Sequence, residues 1–138
     1  MPLRRMAEIM LLGAAVLIVH PALARDKSRP AVQNGGMISD RFYPKESIQR
    51  GEEGEVTVQY PIDEKGGVGE CRVAASSGSP LLDEASCAIV RGFTFKPALA
   101  ADGAPVASMR QQGFAWRIKN ACPPLGSGGI CITAPKGH

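Results

Sequence analysis

The feature that most restricts the fold of this chain is an alternation of polar and apolar residues from Glu55 to Ile62. Such alternation is typical of a β-strand with one buried face and one wet face. A turn sequence rich in charge and glycine follows at 63–67, and residues 68–75 form a second extended stretch. These stretches predict a β-hairpin that presents one apolar face.

A helix that can cover this hairpin is predicted over residues 81–92. Ser79 is placed to cap its first turn, and Pro80 suits the first helical position. Residues on one face of this helix recur at the helical period: Leu82, Ala85, Ser86, Ile89 and Phe93. Residues 106–119 then form a third extended segment, in which Gly113 predicts a bulge or a bend.

Strand, strand, helix and strand together predict an α+β fold of two layers. One layer is a three-stranded antiparallel or mixed sheet, and the other is one main helix. A short helix at 45–50, ended by Gly51, precedes them. A right-handed crossover places the third strand beside the first, which gives the order 2-1-3. The third strand is then an exposed edge, whose free N–H and C=O groups can pair with another chain.

Export is predicted from residues 1–24. Arg4 and Arg5 precede a short apolar run, and Ala22–Leu23–Ala24 matches a cleavage site. The run is about half of the roughly 20 residues that a membrane-spanning helix needs. We therefore predict a cleaved signal peptide, and Glu8 leaves an uncleaved short anchor as the alternative. The polar residues 25–40 are predicted to be a flexible tether.

The even number of cysteines predicts disulfide bonds in an exported chain. Of the three possible pairings, we favour Cys71–Cys87 and Cys122–Cys131, because each closes a short loop. The first would fasten the second strand to the helix. The second would tie the Pro/Gly-rich tail, residues 120–138, into a loop, although its composition is that of a disordered segment.

Composition argues against several classes of function. His20 lies in the predicted signal and His138 is the last residue, so a Ser or Cys nucleophile would lack its usual base. The absence of histidines elsewhere and of a C-x-x-C pair also disfavours zinc. The 16 Lys and Arg against 13 Asp and Glu are too balanced to predict nucleic-acid binding. We therefore expect no enzymatic activity, no metal and no other cofactor.

Short motifs follow one another in a fixed order over residues 42–118. They are Tyr43-Pro44, Gly51, Gly54, Val56-x-Val58-x-Tyr60-x-Ile62, Asp63-x-x-Gly66, Val68, Ser76-Ser77-Gly78, Leu82-Asp83, Phe93-x-Phe95-x-Pro97-Ala98 and Gly103-x-Pro105-Val106. The set resembles the C-terminal domain of TonB-family energy transducers. This resemblance implies a domain at 41–119 with a two-layer αβ fold and a periplasmic location. It also implies binding of the N-terminal TonB-box peptide of outer-membrane transporters.

The resemblance further implies that the box peptide adds a strand along the third strand of this domain. The family also uses residues just before the Tyr-Pro pair, which are commonly Gln-rich but here are Asp40, Arg41 and Phe42. The partner-binding residues that follow from this comparison are Val106, Ser108, Arg110, Gln111, Gln112, Phe114, Arg41 and Phe42.

A TonB-dependent outer-membrane receptor is therefore the expected partner. The alternative is a freestanding periplasmic adapter or sensor, or a homodimer, that uses the same edge without transducing energy. That alternative arises because a full transducer has a long Pro-rich spacer, whereas only the short segment 25–40 follows the predicted signal. An inner-membrane motor complex would be a partner only if the N-terminus is an uncleaved anchor.

Overall fold

The computed structural model describes residues 13, 15, 18 and 24–137. The predicted signal peptide therefore lies almost wholly outside the described residues, and it stays a prediction. Within the residues described, no helix combines the length and the apolar character needed to cross a membrane.

Eight strands and two α-helices make up the described part of the chain. The helices are α1 (Lys45–Arg50) and α2 (Pro80–Arg91), and a 3-10 turn spans Asp40–Phe42. The strands are β1 (Val32–Gly35), β2 (Gly54–Ile62), β3 (Arg72–Ala75), β4 (Thr94–Lys96), β5 (Ala98–Leu99), β6 (Pro105–Val106), β7 (Ser108–Arg117) and β8 (Ile130–Thr133).

The main sheet has the strand order β3-β2-β7-β8. Strand β2 is antiparallel to both β3 and β7, whereas β8 runs parallel to β7. The α+β class, the single main helix and the predicted 2-1-3 order are confirmed, since β2, β3 and β7 are the three predicted strands. The sheet nevertheless has four strands rather than three, so β7 is not an edge along its whole length.

The hairpin forms as the alternation predicts. Four alternate residues of β2 are buried with at most 1% exposure: Val56, Val58, Tyr60 and Ile62. At the turn, the Asp63 carboxylate accepts backbone N–H groups from Lys65 and Gly67, and Gly66 adopts a φ of 86°. The return strand β3 is shorter than predicted, because Val68 makes only an isolated bridge with Ile62 before the ladder resumes at Arg72.

Helix α2 covers the apolar face of the sheet. The Ser79 hydroxyl accepts the N–H of Leu82 at 3.3 Å, which confirms the predicted cap. Leu82, Ser86 and Ile89 are buried against the sheet. The predicted disulfide Cys71–Cys87 joins this helix to the stretch before β3. The core therefore lies between α2 and the β2–β7 pair.

Residues 25–40 differ from the predicted flexible tether. Strand β1 pairs antiparallel with β4, so that Val32 lies opposite Lys96 and Gln33 lies opposite Phe95. Arg29 also bridges to Leu99. The reason is that β4, which follows the helix, offers backbone groups that the polar segment 25–40 can pair with, and composition does not reveal this.

The tail also differs from the disordered composition that its Pro and Gly content suggests. The predicted Cys122–Cys131 disulfide is present, and β8 follows directly beside β7. Ile132 and Ala134 of this tail are buried in the main core. The Cys122–Cys131 bond holds an apolar segment of the tail beside β7, on the side that does not face β2. That segment forms the fourth strand, β8.

Candidate partner-binding edge

Strand β7 has two halves with different surroundings. On one side it pairs with β2 from Ser108, opposite Ile62, to Trp116, opposite Gly54. On the other side, β8 pairs only with residues 114–117. We call residues 108–113 the open edge and residues 114–117 the covered edge. Alternate peptide groups of the open edge point away from β2, where another strand can meet them.

A surface groove runs along the open edge. One wall is residues 109–113, and the other is the loop 125–129 that leads into β8. Gln112 is only 3% exposed, and its side-chain amide donates to the carbonyl of Gly113 at 3.1 Å and to that of Gly128. Gln112 therefore fixes the loop at the end of the groove.

Arg110 supplies the charge of this groove. It is the only charged residue among those that line the groove. Its guanidinium carbon lies 5.3 Å from the centroid of the Phe95 ring, a cation–π arrangement that orients the side chain. Tyr60 lies opposite it on β2. Burial raises the pKa of Tyr60, and the positive charge of Arg110 opposes that rise.

The predicted contact residues divide between the groove and other places. Ser108 begins the open edge, and Gln111 is exposed on it. Val106 lies on β6, where it pairs with Ala98. Phe114 does not fit its predicted role, because its side chain is 1% exposed in the core and its backbone pairs with Ile130 of β8.

Arg41 and Phe42 are not part of β7 and do not line the groove. They form the 3-10 turn just before Tyr43, whose ring packs edge-on against Trp116 at 5.1 Å. The Tyr43 hydroxyl donates to the Glu52 carbonyl at 2.6 Å. Burial raises the pKa of Tyr43 to about 12, with a further contribution from the Glu53 carboxylate. The turn is thus anchored beside the covered edge rather than at the groove.

Glu53 is a functional candidate that the sequence did not reveal. Its carboxylate accepts the N–H groups of Ile118 at 2.5 Å and Lys119 at 3.0 Å, and the Asn120 amide at 2.7 Å. The hydrogen bonds from Lys119 and Ile118 lower the pKa of Glu53. This clamp fixes the point at which β7 ends and the tail begins. Nothing in an acidic loop before a strand signals such a role.

The serine-rich loop before α2 is a turn and a helix cap. The Asp83 carboxylate accepts the Ser77 N–H at 2.9 Å and the Ser77 hydroxyl at 2.7 Å. Burial raises the pKa of Asp83, but hydrogen bonds from Ser76 and Ser77 outweigh it, so the pKa is lowered. Across residues 24–137, no group of three His, Cys, Asp or Glu side chains could hold a metal ion.

Comparison with known proteins identifies a family and a solved structure with a similar fold. Residues 39–118 match the family described as the C-terminal domain of the Gram-negative bacterial TonB protein. The solution NMR structure of the TonB C-terminal domain of Pseudomonas aeruginosa is similar in fold, with a TM-score of 0.54 and 21% sequence identity. That alignment covers 70% of this chain and 94% of the other. Among curated proteins, none matches the chain.

Proposed function

Because the chain belongs to the TonB family through its C-terminal domain, we propose that it captures the TonB-box peptide of outer-membrane transporters by strand addition at the open edge. The protein then acts in the periplasm and supports TonB-dependent transport. The observation that carries the proposal is the unpaired half of β7, residues 108–113, beside a groove of its own.

Strand addition uses the groups that the open edge presents. Main-chain N–H and C=O groups supply affinity, and alternate side chains supply specificity. Arg110 and the exposed Gln111 lie on opposite faces of β7, because side chains alternate along a strand. A peptide in the groove therefore meets one charged face and one neutral polar face. With about six residues of edge, the interface is small, and we expect weak, reversible binding.

The test is a titration of the full chain with a synthetic TonB-box peptide, followed by amide chemical shifts. The expected result is that shifts concentrate at residues 108–113, whereas a scrambled peptide of the same composition causes none. The outer side of β3 is the competing acceptor, because its four residues are all exposed. Shifts confined to 72–75, or no shifts at all, would contradict the proposal.

A pair of arginine variants sharpens this test. Arg110→Ala removes the one charge in the groove, and we expect the peptide affinity to fall roughly twofold to fivefold, as for a partly exposed charge. Arg72→Ala is the matched control, since its side chain is 76% exposed on the opposite edge of the same sheet. Equal losses in both variants would mean that the effect is one of overall charge.

The alternative, a homodimer that pairs through the open edge, predicts a different dependence of the amide shifts. If the open edge pairs with a second copy, the amide shifts of residues 108–113 should change with protein concentration in the absence of peptide. Sedimentation of the full chain over a hundredfold range of concentration distinguishes homodimer formation from peptide capture by a monomer. A chain that stays monomeric over this range favours peptide capture alone. A dimer that dissociates as the peptide binds would show that the peptide and the second copy compete for the open edge.

A further inference from the structure

The tail occupies part of the surface that a partner strand would use. Strand β8 covers residues 114–117, so the acceptor edge stops at Gly113. The tail lies outside residues 39–118, the region that corresponds to the TonB family. Ile132 and Ala134 are its buried members of the main core and Ile130 packs against that core, whereas the other buried members that the structure describes lie within residues 43–116. The strand that shortens the acceptor edge is thus an addition to the part of the chain that matches the family.

The two disulfides differ in their exposure to solvent. Cys87 lies on the buried face of α2 and is 3% exposed, and Cys71 is half-buried. In contrast, Cys122 is exposed and Cys131 is half-buried in a surface strand. Thiol–disulfide exchange needs access to a sulfur atom, and exposed disulfides are the labile ones. A reductant should therefore reach the Cys122–Cys131 bond more readily than the Cys71–Cys87 bond of α2.

We infer that Cys122–Cys131 is a reducible latch, and that a dithiol reductant acting on it releases β8 and extends the acceptor edge from residues 108–113 to residues 108–117. The inference rests on the proposed function only for its consequence, the length of the bound strand. One thiolate of the reductant attacks a sulfur of the bond, and its second thiol resolves the mixed disulfide. The reductant becomes a disulfide, and its two hydrogens end on Cys122 and Cys131.

The latch acts by limiting how far the tail can move. While the bond is intact, Cys131 stays beside Cys122, which follows the end of β7 by a few residues. Opening a loop of about ten residues restores chain entropy to the released tail, which should make undocking roughly tenfold to a hundredfold more frequent. The clamp from Glu53 to residues 118–120 does not include either cysteine, so we expect it to hold the carboxyl end of β7 after reduction.

The first experiment needs no peptide. The full chain is treated with rising concentrations of dithiothreitol, alkylated, and mapped by mass spectrometry, and hydrogen exchange is measured at each step. We expect Cys122 and Cys131 to be alkylated before Cys71 and Cys87. At that step, the amides of residues 114–117 that point toward β8 should exchange at least tenfold faster, while β2 and the β7 amides bonded to it keep their protection. Alkylation of Cys71 and Cys87 first, or unchanged exchange at 114–117, would overturn the inference.

Variants separate the latch from general stability. Cys122→Ser with Cys131→Ser should reproduce the rise in exchange at 114–117 under non-reducing conditions. Cys71→Ala with Cys87→Ala is the control, and it should leave the 114–117 amides no less protected than those of β2. If loss of the tail bond instead exposes β2 and β7 together, the bond is a staple of the whole domain and the latch is refuted.

The second readout is the length of the bound peptide. In the oxidised chain, box peptides longer than about six residues should bind no more tightly than a six-residue one. In the double-serine variant, affinity should continue to rise with length up to about ten residues, as the edge lengthens. If neither form binds a peptide, the proposed function fails, while the exchange data still decide the latch.

Discussion

The indole N–H of Trp116 donates to the hydroxyl of Ser86 at 2.9 Å, in a place where both side chains are fully buried. The Ser86 hydroxyl in turn donates to the Leu82 carbonyl one helical turn earlier, also at 2.9 Å. This chain of two hydrogen bonds ties β7 to α2 through the core. The strand that carries the proposed binding edge is thus held in register by a polar contact as well as by packing.

Ser86→Ala should therefore destabilise the domain by about 1–3 kcal/mol, because it leaves the buried indole N–H without a partner. Urea unfolding followed by circular dichroism measures this cost. Trp116→Phe, made alone and in the Ser86→Ala background, completes a double-mutant cycle. A loss for the double variant equal to the sum of the single losses would show that the two side chains do not interact.

Gly66→Ala should be among the most damaging single changes in the turns. Gly66 has a φ of 86°, and an added Cβ would overlap the carbonyl oxygen of Phe95. The backbone conformation alone costs about 1–2 kcal/mol for a residue with a side chain, and the overlap adds to it. Thermal unfolding provides the measurement.

Gly51→Ala is the matched control for that change. Gly51 also has a positive φ, 68°, but nothing lies within 4 Å of an added Cβ. It should therefore lose only the conformational part, about 1–2 kcal/mol. Equal losses of stability at the two positions would show that the hairpin turn moves enough to avoid the overlap between the added Cβ and the carbonyl of Phe95.

The Glu53 clamp predicts a pH dependence at the end of β7. Because hydrogen bonds lower the pKa of Glu53 from 4.5 in the folded state, its stabilisation is fully present above that value. It is lost as the pH falls through the folded pKa. The amide shifts of Ile118 and Lys119 should therefore titrate below about pH 4.5.

Glu53→Gln should abolish this titration and loosen residues 118–120. Glu84→Gln is the control, because it removes a carboxylate that pairs with Arg91 on the helix surface, away from β7. It should leave the Ile118 titration as it is. Persistence of the titration in Glu53→Gln would assign it to a different group.

The Cys71–Cys87 bond should contribute about 3 kcal/mol in the chain-entropy model, given the length of its loop. Cys71→Ala with Cys87→Ala should lower the stability by about that amount without changing the strand order. Guanidinium unfolding under non-reducing conditions measures the loss. An unchanged midpoint would show that packing alone holds α2 on the sheet.

The sequence predicts the hairpin, helix α2 and both disulfides because each depends on local pattern or on short loops. The alternation around Val58 and the cap at Ser79 appear directly in the residue order, and so do the hydrophobic positions of α2. Even the strand order follows from a handedness rule. These features require no knowledge of what lies far away in the chain.

The features that the sequence does not predict depend on distant pairing. Strand β1 needs the unpaired side of β4, and β8 needs the unpaired side of β7, and neither segment has a strong strand pattern. For the same reason, the sequence predicts Phe114 as a contact residue, whereas in the structure β8 covers its backbone. The clamp of Glu53 on residues 118–120 joins positions 65 or more residues apart.

Strand addition at the open edge is best tested by an isotope-edited NMR experiment on the complex between the oxidised full chain and a TonB-box peptide. We expect backbone cross-strand contacts between the peptide and residues 108–113, and no such contacts at 114–117. Contacts at the outer side of β3, or in the groove between α1 and residues 135–137, would contradict strand addition at the open edge.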